Sequence, residues 1–173
     1  MIAPRVDEDA IKEALKAENA PPREIADALA EMKARKVAEK HPEAMVVGCD
    51  QVLAFGAQIL SKPKDQKEAI VQLRAMRGKC HTLLSAAVIY HEGKPIWRHI
   101  GQVRLTMRNV SDTYVDRYVD RNWDDIRHSV GAYQLEAEGV RLFHSIDGDY
   151  FNVLGMPLLE LLDFLTLRGV IDG

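Results

Sequence analysis

Over the first forty positions apolar residues recur at the three-and-four spacing of amphipathic helices; beyond them the pattern changes to runs and alternations. Residues 7–17 put Ile11, Ala14 and Leu15 on one face, and Asn19-Ala20-Pro21-Pro22 interrupts the pattern. Proline suits the first turn of a helix, so a second one is expected over 22–40, with Ile25, Leu29, Met32 and Val37 as its stripe. Lys40-His41-Pro42 ends it, cations at the negative end of the dipole and then a stop. The run Met45-Val46-Val47-Gly48-Cys49 reads as a buried strand that delivers Asp50 at its C-terminal end.

Residues 52–55 and 58–60 form a hairpin about Gly56 in this reading, and 65–76 a helix that opens on Asp65 with Glu68 three residues on and ends at Gly78. Three strands are expected at 81–90, 95–99 and 103–107, the first two joined by Glu92-Gly93-Lys94. Ser111 caps a helix to about residue 120. Short strands at 139–143 and 150–154 and a closing helix over 156–168 complete the pattern. Strands and helices interleave without a repeat or a low-complexity linker. The expectation is a single α/β domain over residues 1–173, its sheet mixed because hairpins add antiparallel pairs.

Composition narrows the function classes. A hydrophobic fraction of 47% and a charged fraction of 28% are those of a globular chain. The net charge of −3 supplies no global basic field for a nucleic-acid polymer, although a small anion needs only local cations. Cys49 and Cys80 form no CxxC pair, and the six histidines show no metal-binding spacing. No apolar run is long enough to span a bilayer and the acidic start resembles no signal peptide, so the cytoplasm is the default expectation.

Asp50 is the first chemical candidate: a carboxylate at the polar end of a buried strand is able to hold a divalent cation or activate water, and equally to form a turn. Lys62, pinned by Pro63, suits a phosphate or a solvated loop. Lys33 interrupts the apolar face of the second helix, and Glu8 favours the dipole of the first. Spacing alone supports an α/β domain with an acidic site.

Colinear segments carry it further. Val6-Asp7-Glu8, Leu29-Ala30-Glu31-Met32-Lys33-Ala34, Val46-Val47-Gly48-Cys49-Asp50-Gln51-Val52, Ser61-Lys62-Pro63, Arg77-Gly78-Lys79-Cys80-His81, Gly131-Ala132-Tyr133-Gln134-Leu135-Glu136, Gly148-Asp149-Tyr150 and Leu154-Gly155-Met156-Pro157-Leu158 together resemble the Maf family of nucleoside triphosphate pyrophosphatases. The resemblance implies an elongated mixed β-sheet flanked by helices, of the Maf/ITPase type, with its site in a cleft between two lobes. It also implies cleavage of a nucleoside triphosphate to monophosphate and pyrophosphate with a divalent cation, magnesium or manganese. In these terms Asp50 resembles the catalytic carboxylate and Glu8 a second acid, both able to ligate the metal, and Lys33 and Lys62 resemble the lysines that meet the phosphates.

Gln51 and Glu136 stand where many members carry Thr and Gln, a combination that resembles the 7-methyl-GTP subfamily rather than the one acting on dTTP and UTP. A carboxylate accepts two hydrogen bonds from the guanine edge and suits a cationic ring. The resemblance further implies a preceding strand, its helix and a Ser-x-x-Arg-Arg-type turn, whereas this chain starts at Met1-Ile2-Ala3-Pro4-Arg5. The expectation is therefore a fold lacking the first strand and helix, with impaired hydrolysis. Alternatives are a nucleotide-binding or septum-related regulatory protein and a dTTP/UTP pyrophosphatase. The expected partner is the nucleotide, with no polymer and no membrane, and a homodimer is left open.

Overall fold

The computed structural model describes residues 7–173. Arg5 and Val6 lie outside the described residues. Helix α1 (Glu8–Ala17) starts where Asp7 accepts a hydrogen bond from the Ala10 amide at 3.0 Å, and α2 (Pro22–Ala38) follows with proline in its first turn. Next come β1 (Val46–Phe55), β2 (Gln58–Leu60), α3 (Gln66–Met76), β3 (Cys80–His91), β4 (Lys94–Met107) and α4 (Asp112–Ile126). Two 3-10 turns, Val130–Ala132 and Glu138–Leu142, lead into β5 (Phe143–Asp147), α5 (Tyr150–Val153) and α6 (Leu158–Leu167). One sheet in the order β2-β1-β3-β4-β5 carries α3 between β2 and β3 and α4 between β4 and β5, an α/β protein as expected. The hairpin about Gly56 is antiparallel, pairing Leu53 with Leu60, and β4 pairs antiparallel with β5, with an irregularity between Thr106 and Met107.

Several expected boundaries are corrected. Asp50 lies in the middle of β1, not at its end, because the runs on either side of it are one strand. The polar stretch around residues 99–102 does not break β4, since backbone pairing continues through it. Residues 139–142 form a 3-10 turn and β5 begins at Phe143. Residues 150–153 are helical, because Asp149 accepts from the Asn152 amide at 3.0 Å and nucleates a turn. Helix α4 also runs on to Ile126.

The chain divides into two compact units. One comprises the described residues up to Gln51 with Leu84–Gly101 and Gly155–Gly173. Its core includes Ile25, Leu29, Ala86, Val88 and Ile89. In α2 the buried residues are Ile25, Ala26, Leu29, Ala30, Ala34 and Ala38, while Met32 is exposed. The alanines, not the bulkier Met32 and Val37, form the working face. The other unit comprises Val52–Leu83 and Gln102–Leu154, where α3 packs on α4 around Leu73, Met76, Leu105, Tyr118 and Leu142. Among the described residues no helix is long and apolar enough to cross a membrane.

Candidate active site

In the first unit three elements converge on a charged cluster. Glu8 stands in the first turn of α1, Lys33 near the middle of α2, and Asp50 on the buried face of β1. The Lys33 ammonium lies 2.8 Å from Glu8 Oε1 and forms a closer ion pair with Asp50 Oδ1. The side chain of Asp50 is 6% exposed, those of Lys33 and Glu8 20% and 28%. One ammonium thus bridges two carboxylates at the edge of the interior.

Lys12, one turn beyond Glu8, is a member that the sequence reading missed. Its ammonium sits 3.8 Å from Glu8 Oε2 with the side chain only 9% exposed. The apolar count over α1 ranked Ala14 as inward-facing, yet Ala14 is exposed and Lys12 buried. The Glu8/Lys12 spacing of four, which suits an ion pair on a helix, was the available signal. With Lys12 the cluster holds two positive and two negative groups, which is why the fold tolerates an aspartate inside a strand.

Burial raises the pKa of Asp50 above the ordinary carboxylate value; Lys33 pulls it back without cancelling the rise, and Glu8 adds to it. Burial opposes the charge on Lys33 as well, but Asp50 and Glu8 more than offset this, and its pKa is raised. The neighbouring Cys49 thiol is pushed up to about 11 by burial, so it is a protonated, unreactive thiol at neutral pH.

Asp50 Oδ2 is buried and has no hydrogen-bond partner among the described residues. A buried acceptor left unmade costs on the order of 1–3 kcal/mol, more when charged. The donor set fits a hard divalent cation bound in the manner of magnesium, which takes one or two carboxylates and completes its shell with water and phosphate oxygens. A cage built from the protein alone is not present: among the described residues no three acids, histidines or cysteines are grouped for a metal.

Gln51 follows Asp50 in β1, and strand alternation turns it to the opposite face. There its amide donates to Ser85 Oγ at 2.8 Å, and Ser85 is fully buried in β3. In the second unit Lys62 is exposed on the loop between β2 and α3. That loop is held from beneath: the buried Gln72 amide donates to the Ser61 carbonyl at 3.1 Å, and Pro63 is buried. Glu136 is exposed in the segment joining the two 3-10 turns.

The cluster joins two acids and two lysines around an aspartate in the middle of a strand of the α/β sheet. The chain belongs to the Maf family: the Maf-like protein profile matches residues 1–167. It is 68% identical over 169 residues to a nucleoside triphosphate pyrophosphatase of Ruegeria pomeroyi, covering 98% of this chain and 85% of that protein. A Caulobacter vibrioides protein of the same name is 48% identical over 98% of this chain and 85% of its own length. A 7-methyl-GTP pyrophosphatase of Brucella abortus is 45% identical over 97% of this chain and 84% of its own length.

Proposed function

We propose that Glu8, Lys33 and Asp50 form the catalytic centre at which this chain cleaves a nucleoside triphosphate to the monophosphate and pyrophosphate. The chain is a hydrolase of the nucleoside triphosphate pyrophosphatase class, by its family and its relatives. The observation that carries the location is the bridge itself, one Lys33 ammonium held between Glu8 and the buried Asp50. Glu8 and Asp50 are the residues that would hold a divalent cation, magnesium or manganese. When bound, that cation supplies Lewis-acid neutralisation of the phosphate oxygens.

The protein's own groups do the rest. Lys33 has three N–H donors and spends two on Glu8 and Asp50, so the third is available to a phosphate oxygen. Lys62, displayed on its pinned loop, adds a second cation for a substrate carrying about four negative charges; such groups stabilise the charge that develops on the leaving pyrophosphate. Asp50 either carries the metal or orients the attacking water. Both roles need its charge, and its upward pKa shift moves it toward the range of a useful base. Asp50→Asn is expected to lose roughly 100- to 1000-fold in pyrophosphate release, the scale of a lost electrostatic contact in the transition state. A folded Asp50→Asn protein with wild-type turnover would place the chemistry elsewhere.

For the base we favour 7-methylguanine, read by Glu136. Its carboxylate matches the donor edge of guanine and the cationic ring. The name of the Brucella abortus relative supports the same choice. Gln51, turned to the other face of β1 and bonded to Ser85, acts in this reading by shaping that face. Turnover of 7-methyl-GTP, GTP, UTP and dTTP tests the choice. A preference for 7-methyl-GTP that falls in Glu136→Gln supports it, whereas a preference for UTP or dTTP ends it.

A further inference from the structure

Gly48 precedes Asp50 by two residues, so both side-chain positions point to the face of β1 that α2 covers. A Cβ built at Gly48 would meet the backbone nitrogen of Ala34 at 2.5 Å and the Ala34 Cβ at 2.7 Å, and would press on the Ala30 carbonyl. Two of these obstacles are helix backbone, which no rotamer change can move. Gly48 has no left-handed φ of the kind that calls for glycine, so what it supplies is space.

Packing alone does not ask for that space. Glycine inside a strand weakens it and buries no side chain. A larger apolar residue on β1, with α2 standing further off, would cover more apolar surface. What the close approach does achieve is reach. Lys33 lies on the helical turn between Ala30 and Ala34, the two points of contact, and its ammonium meets the buried Asp50. The alanine face of α2 and the bare backbone at 48 are two sides of one contact.

We propose that Gly48 is a positioning residue for the reaction: by letting α2 rest on β1 it sets where the Lys33 ammonium stands relative to Asp50 and Glu8. This rests on the catalytic reading of the cluster given above. An alanine at 48 pushes α2 outward by a fraction of an ångström to about an ångström, and misplacement on that scale costs up to roughly 100-fold in rate.

The test is a double-mutant cycle on kcat and thermal midpoint with Gly48→Ala, Lys33→Met and the pair. Gly48→Ala is expected to lower kcat roughly 10- to 100-fold with KM changed by less than about threefold. In the pair, kcat is expected to equal that of Lys33→Met alone, since the residue through which Gly48 acts is already gone, and the thermal midpoint shows that each variant is folded. A merely structural glycine predicts the opposite, with rate losses that multiply. Multiplying losses, or a folded Gly48→Ala enzyme with wild-type kcat, overturn the proposal. Should Gly48→Ala fail to fold, Ala34→Ser adds a single atom on the helix side of the same contact, and the cycle is run with it under the same criteria. Full turnover in Lys33→Met is a separate result: it sinks the catalytic reading itself, and this proposal with it.

Discussion

Each unit contains a buried polar cluster, and the two resolve the same desolvation penalty in opposite ways. In the first unit Asp50 is pressed toward its neutral form by burial, but Lys33 and Lys12 oppose this. In the second unit His81, 2% exposed, faces the hydroxyl of Tyr133 at 2.8 Å and the ring of Phe143, with no acid to favour its protonation. Burial holds its pKa down at about 4 and sends that of Tyr133 far above the ordinary phenol value. Both groups therefore stay neutral, and the rings pack as core: Tyr133 meets Phe143 edge-on with centroids 4.7 Å apart. Burial alone does not mark a functional group. The mark is burial together with retained, opposed charge.

The comparison is most easily broken at Lys33. Lys33→Met leaves two carboxylates without their bridge, and pyrophosphate release is expected to fall about 100-fold or more, as for a lost phosphate-neutralising donor. Its stability cost stays below the roughly 3–5 kcal/mol of a fully broken buried pair, because the raised pKa of Asp50 lets it take a proton instead. Steady-state kinetics beside urea unfolding measure both effects, and unchanged kinetics would make the cluster structural like its counterpart.

His81 sharpens the other side. Its folded pKa lies below its ordinary value of 6.5, so its contribution to stability is complete above pH 6.5 and lost as the pH falls toward about 4. In that window the unfolded chain takes up a proton that the folded chain refuses, a loss of roughly 3 kcal/mol by linkage. Urea midpoints between pH 7 and 4.5 should drop, and His81→Phe should remove about one proton from the slope. An unaltered slope in His81→Phe would show that the histidine titrates freely.

Lys12→Met tests the supporting ion pair. Glu8 keeps Lys33 but loses the Lys12 ammonium, and the expected fall in kcat is about tenfold or less, within the range of a positioning contact. The smallest effect is expected at Arg98, which is 45% exposed and bonds Asp27 and Glu31. Arg98→Ala should cost under about 1 kcal/mol, as exposed pairs do, and leave turnover unchanged. A large loss there would mean that exposed charge networks in this fold carry weight comparable with the buried cluster.

Local chemistry was readable where it is short in range. The caps at Asp65 and Ser111, the hairpin about Gly56 and the proline that opens α2 follow from one or two side chains and a backbone rule. Glu8, Lys33 and Asp50 were legible as candidates through the order of the segments, and Lys33 through its place on an otherwise apolar turn. Position within the sheet was not legible. A polar residue reads as a strand end, yet Asp50 sits mid-strand because lysines from two helices meet its charge. The turn at Asp149 makes a helix of apolar residues that would serve equally in a strand.

Sequence by itself determined the longer helices, the hairpin about Gly56 and which ionisable side chains they carry, since propensity, capping and hydrophobic period act over a few residues. Only the tertiary structure decided that alanines rather than Met32 form the contact face of α2 and that Lys12 turns inward. The alanine face depends on how closely α2 can approach β1, and the bare backbone at Gly48 leaves room for that approach, a role with no signature in its own neighbourhood.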